Sequence, residues 1–263
     1  MRLLFPLLAA GALLMISSAA PADEKFGPSD LFEKKSFQAG GITLPYRLLK
    51  PAKIEPGKTY PLVLFFHGAG ERGTDNERQL VHGVKTFASP AIHEKYPCFV
   101  VAPQAPEETL WVDIPWASPQ PKMPEAPNAN HAAVIGLLDS LVETLPIDRD
   151  RQYVTGLSMG GFGTFEMVVR HPERFAAAAV VCGGTDLGRL PVASKVPMWL
   201  FHGAMDMTVR VERSREAVET LEKAGAMPHY TEYPDVGHDS WKNAYATSDL
   251  YEWLFAQKRP ATP

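Results

Sequence analysis

Short, almost wholly apolar runs alternate with helical patterns along most of this sequence, and no other feature constrains the fold as strongly. A short apolar run suits a strand that is covered on both faces, as strands of a parallel sheet are. We expect strands at residues 61–66, 98–102, 153–156, 177–182 and 198–201, with two more at 42–49 and 229–233. Helical spacing of apolar residues occurs at 130–145, 159–170, 211–226 and 250–257. The alternation predicts an α/β fold, with a mostly parallel, doubly wound sheet and helices on both faces.

Length, charge and cysteine content exclude several classes of protein. A chain of 263 residues can bury one large core, so we expect one α/β domain, with two small domains as the alternative. The formal charge is −4 and Lys and Arg are not clustered, which argues against nucleic acid as a partner. Two cysteines are too few for a disulfide scaffold. No ligand spacing suggests a metal, so we expect no metal and no other cofactor, and no obligate protein partner is evident.

Residues 1–22 are typical of a secretory signal peptide. Arg2 is followed by an apolar stretch from Leu3 to Ile16, and Ala20-Pro21-Ala22 offers a small-residue cleavage site before Asp23. The alternative is a membrane anchor, but fourteen apolar residues fall short of a hydrocarbon core of roughly 30 Å. We therefore expect a secreted or periplasmic protein whose mature chain, residues 23–263, does not associate with a membrane.

A proline-rich segment interrupts the regular pattern at residues 103–128. It holds seven prolines in 26 residues, which prevents regular structure over most of its length. A loop this long in a compact domain is usually functional or disordered, and the presence of Trp111 and Trp116 argues against disorder. Because the segment follows a strand, it begins at the carboxyl edge of the sheet, where such folds bind ligands. We predict a loop over the active site.

The sequence Gly156-Leu157-Ser158-Met159-Gly160 has the pattern G-x-S-x-G. Glycines on both sides of the serine allow a sharp turn from strand into helix, where a Cβ would contact neighbouring backbone. The preceding residues predict a strand and the following ones a helix, as a nucleophile elbow requires. A glycine-rich turn without chemical function is the alternative. Ser158 is our candidate nucleophile.

A serine nucleophile needs a histidine base, and the base needs a carboxylate to orient it. His238 lies in a polar loop after the last predicted strand and is our candidate base, whereas His202 ends a strand and is expected to serve in packing. Asp206 follows the strand at 198–201 and is the preferred acid. Asp186, after the preceding strand, remains the second candidate for the acid.

Attack on a carbonyl also requires two backbone N–H groups to stabilise the oxyanion. Met159, directly after the nucleophile, supplies one of them. The loop after the strand at 61–66 supplies the second, which we assign to Ala69, with Gly68 and Gly70 as alternatives. His67 precedes the serine in the chain and is expected to brace this loop rather than to act as a base.

These segments, with the sequences HGAGERG at 67–73, GLSMGG at 156–161, FHGAMD at 201–206 and GHDSW at 237–241, resemble the α/β-hydrolase superfamily. They are most similar to its secreted serine esterases, a group that includes polyhydroxybutyrate depolymerases, feruloyl esterases, dienelactone hydrolases and proteins called phospholipase/carboxylesterase or predicted peptidase. The resemblance spans roughly residues 40–257. It implies an α/β-hydrolase fold without a large cap domain, with Ser158, Asp206 and His238 as the triad and Ala69 with Met159 as the oxyanion hole.

The resemblance implies two further features. Glu71 and Arg72 match a motif that we expect to hold the oxyanion loop by an ion pair. In the strand order of the family, Cys98 and Cys182 lie on strands that two others separate, too far apart to form a disulfide at about 4.8 Å for each step. We therefore expect two buried free thiols.

The expected reaction is hydrolysis of a carboxylic ester through an acyl-enzyme, with a small-molecule or polymer-linked ester as substrate. Trp111, Trp116 and Trp241 are candidate substrate-binding residues that could stack on a sugar or phenolic ring, and anchoring of their own loops is an equally open interpretation. Two other functions stay open. One is a serine peptidase similar to prolyl oligopeptidases, and the other is a non-catalytic binding protein on a hydrolase fold.

Overall fold

A computed structural model describes residues 29–116 and 118–260, and the predicted signal peptide lies outside this part of the chain. The described residues form eight strands in one sheet: β1 (Phe32–Ala39), β2 (Ile42–Leu49), β3 (Tyr60–Phe66), β4 (Phe99–Pro103), β5 (Ile147–Leu157), β6 (Ala177–Val181), β7 (Met198–Gly203) and β8 (His229–Tyr233). Their spatial order is β1-β2-β4-β3-β5-β6-β7-β8. β1 and β2 are antiparallel to their neighbours, and β4, β3, β5, β6, β7 and β8 are parallel. The predicted mostly parallel sheet is confirmed.

Helices cover both faces of the sheet. They are α1 (Pro90–Lys95), α2 (Ala129–Thr144), α3 (Met159–Arg170), α4 (Glu212–Lys223), α5 (Trp241–Ala244) and α6 (Ser248–Ala256). One apolar core joins α2, α3 and α4 to the sheet, and a second joins the opposite face to α5, α6 and the short 3-10 helix Val84–Ala88. The sheet is therefore covered on both faces, and the loops at the carboxyl ends of its parallel strands form the edge where such folds bind ligands.

The edge strand β1 is not among the predicted strands. Its sequence, FEKKSFQA, contains charged residues on both faces, and most of its side chains are partly or fully exposed. A continuous apolar run is needed only where both faces of a strand are covered, and most side chains of β1 remain partly or fully exposed. The apolar pattern that identifies the buried strands is therefore absent here.

Residues 104–128 form the predicted irregular loop, with neither helix nor strand among the residues described there. In the described part of the chain, the segments between strands form no separate cap domain over the carboxyl edge. Cys98 and Cys182 are free and buried, as predicted. None of the helices at residues 29–116 and 118–260 is both long and apolar enough to cross a membrane.

Candidate active site

Ser158 lies at a strained turn between β5 and α3. Its backbone angles are φ 54° and ψ −120°, a conformation that L-residues rarely adopt. The flanking glycines are sterically required, since a Cβ on Gly156 would lie 2.5 Å from the Gly160 carbonyl oxygen and a Cβ on Gly160 would lie 2.1 Å from the Phe66 carbonyl oxygen. The Ser158 N–H donates to the Val181 carbonyl at 3.0 Å, which fixes the turn to β6. The turn has the geometry of a nucleophile elbow.

The structure brings together Ser158, His238 and Asp206. His238 Nε2 lies 2.9 Å from Ser158 Oγ, and His238 Nδ1 lies 2.7 Å from Asp206 Oδ2. Because Nδ1–H donates a hydrogen bond to the carboxylate, Nε2 carries no hydrogen and can accept the proton of the serine hydroxyl. The Asp206 side chain is fully buried, whereas the His238 side chain is 24% exposed, so the imidazole can be reached by a substrate.

Asp206 is held in the ionised form by several donors. The N–H groups of Thr208 and Val209 donate to Oδ1 at 2.8 and 2.9 Å. Burial alone would raise the pKa of Asp206, but hydrogen bonds from His202, His238 and the Val209 N–H outweigh it, so the pKa lies below its ordinary value. A carboxylate that stays ionised beside His238 stabilises the imidazolium that forms when the base takes a proton.

His202 contributes to this arrangement in a way that sequence reasoning missed. Its side chain is fully buried, and Nε2 lies 2.8 Å from the Val209 carbonyl oxygen and 3.3 Å from Asp206 Oδ2. Its Nδ1 lies 2.7 Å from Ser214 Oγ on α4. The imidazole therefore joins the acid loop to the end of β7 and to α4. The only sequence feature that could have indicated this contact is the spacing of four residues between His202, at the end of a strand, and Asp206.

The second candidate acid, Asp186, serves a different purpose. Its carboxylate accepts the N–H groups of Met123 at 3.2 Å and Gly188 at 3.0 Å, and it lies 3.2 Å from Lys122 Nζ. All three contacts are made within the proline-rich loop or the turn after β6. Of the two candidate acids, Asp206 contacts His238 and Asp186 holds the loop.

The oxyanion loop lies directly beside the elbow. A Cβ built on Gly68 would be 3.6 Å from Ser158 Cβ, and the loop turns through Ala69 in a short 3-10 helix, Ala69–Glu71. Met159 is the first residue of α3, and the first N–H groups of a helix have no partner within it. The two proposed donors, Ala69 and Met159, are thus on segments that flank the nucleophile.

His67 braces the oxyanion loop, as the sequence predicts. Its Nε2 accepts the Ala105 N–H at 3.0 Å, and its Nδ1 lies 2.6 Å from the Gly68 carbonyl oxygen. Complete burial lowers the pKa of His67 to about 4, although the hydrogen bond to the Gly68 carbonyl acts in the opposite direction. The ring is therefore neutral near pH 7, with Nδ1 as donor and Nε2 as acceptor.

The expected ion pair between Glu71 and Arg72 is replaced by other contacts. Glu71 Oε1 lies 3.7 Å from His82 Nε2. Arg72 Nε instead donates to the Ala69 carbonyl at 2.8 Å, which holds the oxyanion loop from within. The two residues therefore have different partners, and the loop is held by the hydrogen bond from Arg72 rather than by an ion pair of these two side chains.

Three arginines from the scaffold hold the proline-rich loop. Arg170 of α3 and Arg213 of α4 each donate to two of its carbonyls, and Arg189 donates to one, at distances of 2.5–3.0 Å. The accepting carbonyls belong to Trp116, Ser118, Pro124 and Glu125. Prolines deprive the loop of N–H donors, so these side chains supply the hydrogen bonds that regular structure would otherwise provide.

The three tryptophans differ in their surroundings. Trp111 is 1% exposed, packs on Phe66 with ring centroids 4.6 Å apart and donates through Nε1 to the His67 carbonyl, so it anchors the loop and has no face for a ligand. Trp116 is partly buried and stacks on Phe162 at 5.9 Å. Trp241 contacts the ring of His238 edge-on at 5.3 Å, which places it beside the triad.

The described residues contain one group with a potential metal-binding arrangement, formed by Cys182, Asp206 and His238, whose ligand atoms lie within 4.8 Å of one another. Asp206 and His238 already bind each other in this group. Burial raises the pKa of the Cys182 thiol to about 12, so it is protonated near pH 7, and a thiol binds metal as the thiolate. The arrangement supports the triad rather than a metal centre.

Comparison with known proteins agrees with this architecture. Residues 52–251 match the model of the phospholipase/carboxylesterase family. A probable carboxylesterase SOBER1-like from Arabidopsis thaliana is 27% identical over 192 residues, covering 67% of this chain and 71% of the plant protein. A poly(3-hydroxyoctanoate) depolymerase from Pseudomonas fluorescens is 31% identical over 121 residues, covering 42% of each protein.

The crystal structure of a thermostable esterase superimposes with a TM-score of 0.82 and 38% identity. The match covers 88% of this chain but only 64% of the esterase, so this chain spans less than two thirds of that protein. The sheet topology, the two helical layers and the absence of a cap in the described residues are those of the α/β-hydrolase fold. The chain belongs to the phospholipase/carboxylesterase family, and the activity that this membership carries is hydrolysis of carboxylic esters.

Proposed function

We propose that the protein hydrolyses carboxylic esters through an acyl-enzyme, with Ser158 as nucleophile, His238 as base and Asp206 as acid. The single observation that carries the proposal is the unbroken hydrogen-bonded chain from Ser158 Oγ through His238 to Asp206, at 2.9 and 2.7 Å. A hydroxyl on a strained elbow, in contact with an oriented imidazole, is the arrangement that activates serine as a nucleophile.

In this mechanism Ser158 Oγ attacks the ester carbon while His238 Nε2 takes the hydroxyl proton. The imidazolium is stabilised by the buried carboxylate of Asp206, and the N–H groups of Met159 and Ala69 donate to the oxyanion of the tetrahedral intermediate. The intermediate collapses when His238 returns the proton to the leaving alkoxide, which releases the alcohol. Water then attacks the acyl-enzyme while His238 takes one of its protons, and His238 returns that proton to Ser158 Oγ as the acyl–oxygen bond breaks and the acid product leaves.

The test compares Ser158→Ala with the parent on p-nitrophenyl acetate. We expect kcat/KM to fall by at least about 10⁴-fold, because no other group replaces the nucleophile. Ser36→Ala, at an exposed serine of the edge strand β1, is the matched control and should retain the parent rate. A parent rate in Ser158→Ala would refute the assignment of the nucleophile.

Labelling with a fluorophosphonate gives an independent result. Mass spectrometry should locate one adduct on Ser158, and the adduct should be missing after Asp206→Asn slows activation of the serine. Labelling of a different serine would contradict the proposal.

Comparison of an ester and an amide with the same acyl group separates an esterase from a peptidase, and we expect the ester to react much faster.

We also propose that the protein is exported and that residues 1–22 are removed. The support is the order of a basic residue, an apolar stretch and small residues in the sequence. N-terminal sequencing of protein recovered outside the cytoplasm should begin at Asp23. Recovery of the intact chain with Met1 at its start would contradict cleavage.

A further inference from the structure

A large apolar pocket lies next to the candidate active site. Its volume is about 660 Å³, and its walls come from the segment after the oxyanion loop, from α1 and from α5 and α6. At its floor Gly83 adopts φ 75°, and a Cβ there would lie 2.3 Å from the ring of Tyr245. Two exposed alanines, Ala91 and Ala246, lie on its rim. The volume falls within the range of ligand pockets and exceeds the roughly 150 Å³ that accommodates benzene.

Two wall residues of the pocket contact residues of the candidate active site. Trp241 forms one wall and contacts the ring of His238 at 5.3 Å, with the two planes at 89°. His82 forms the next and lies 5.3 Å from the ring of Trp241. His82 Nε2 is 3.7 Å from Glu71, whose N–H donates to the carbonyl of Gly68 in the oxyanion loop. The pocket itself is lined by no triad residue, but one of its wall residues contacts the base and another contacts Glu71 at the end of the oxyanion loop.

The chemistry of ester hydrolysis decides which part of the substrate lies on this side. The carbonyl oxygen must face the oxyanion donors, and the leaving oxygen must lie next to His238 Nε2 to receive its proton. The group carried by the leaving oxygen must therefore pass close to His238, whose ring contacts Trp241 in the wall of the pocket.

We propose that this pocket is the subsite for the alcohol part of the ester, and that the preferred alcohol is bulky and apolar, such as an arylalkyl alcohol. The inference rests on the function proposed above, because it needs His238 to protonate the leaving group. Apolar walls favour such an alcohol by removing its surface from water.

The test uses two acetates whose leaving groups are both primary alkoxides, so that their intrinsic reactivity is matched. We expect the parent to hydrolyse 3-phenylpropyl acetate with a kcat/KM at least about tenfold above that for ethyl acetate. Ala246→Phe and Ala91→Phe place a ring in the mouth of the pocket and should each lower this ratio by about tenfold. Ala52→Phe, at an exposed alanine outside the pocket, should keep the parent ratio.

The reverse ester distinguishes the alcohol side from the acyl side. Ethyl 4-phenylbutanoate carries its phenyl group on the acyl chain, so the filling variants should lower its kcat/KM no more than that of ethyl acetate. A selective loss with this ester, in place of 3-phenylpropyl acetate, would assign the pocket to the acyl chain and overturn the proposal. An equal loss with all three esters would also overturn it.

Binding of the product alcohol can be measured even if the protein hydrolyses none of these esters. 3-Phenyl-1-propanol should bind to Ser158→Ala, measured by ligand-observed NMR, and adding Ala246→Phe should weaken its Kd by about fivefold or more. If no ester is hydrolysed but this result is obtained, the proposed function fails and the pocket still binds the alcohol. If the alcohol binds equally well with Ala246→Phe, or does not bind, the pocket assignment is refuted whatever the esterase activity.

Discussion

Acidification is expected to destabilise the fold through His67. This side chain is 1% exposed, and its two ring nitrogens bond to the backbone of Gly68 and Ala105. A proton on Nε2 would break the bond from the Ala105 N–H and leave a charge in the core. Burial accordingly lowers the pKa of His67 from 6.5 to about 4.

The loss of stability at low pH follows from the difference in proton binding at His67 between the folded and the unfolded chain. The unfolded chain takes up a proton at His67 near pH 6.5, whereas the folded chain does so only near pH 4. The contribution of neutral His67 to stability is therefore complete above pH 6.5, declines as the pH falls through this window, and is lost below about pH 4. The difference between the two pKa values corresponds to about 3 kcal/mol of unfolding free energy.

Urea unfolding at pH about 7 and pH about 4 measures this contribution when the parent is compared with His67→Gln. Glutamine offers an oxygen acceptor without titrating, so the variant should lose about 3 kcal/mol less unfolding free energy between the two pH values than the parent does. Each protein is compared with itself at neutral pH, which cancels any constant cost of the substitution. Equal losses in the two proteins would refute the reasoning.

Three other predictions concern the elbow, the acid and the thiols. Gly160→Ala should cost more than about 3 kcal/mol, because its Cβ would lie 2.1 Å from a backbone oxygen, whereas Gly70→Ala, with nothing within 4 Å, should unfold at nearly the parent urea midpoint. Asp206→Asn should lower kcat by about 10⁴-fold, and Asp186→Asn should reduce it by less than about tenfold. Comparable losses in both would contradict the assignment of the acid. Both cysteines are buried, so Ellman's reagent should titrate them only after denaturation, and rapid reaction in the folded protein would disprove their burial.

Much of the parallel sheet and the candidate triad could be predicted because their signals are local in sequence. The apolar run before Ser158 and the helical pattern after it determine a turn at a strand end, and glycines are required there by contacts of 2.1–2.5 Å. His238 follows the last strand, β8, and the carboxyl ends of parallel strands meet at one edge. The order of Ser158 and His238 along the chain and their positions at this edge were enough to predict that the two residues are in contact.

Other features depend on which elements are neighbours in space. Asp186 and Asp206 both follow strand ends, and the sequence alone does not show that β7, before Asp206, pairs with β8, before His238. The bond from His202 to Asp206 and the partners of Glu71 depend in the same way on loop paths. These paths are determined by backbone turns and long-range contacts, which leave no periodic pattern in the sequence.

The three arginines that hold the proline-rich loop have a consequence for how this region can vary. They bind its carbonyl oxygens, which every amino acid possesses, rather than its side chains. The path of the backbone is therefore determined in part from outside the loop, by α3, α4 and the turn at Arg189, in addition to the buried Trp111 of the loop itself. Exposed positions of this segment can therefore be substituted without removing the hydrogen bonds that these arginines make, because the accepting atoms belong to the backbone.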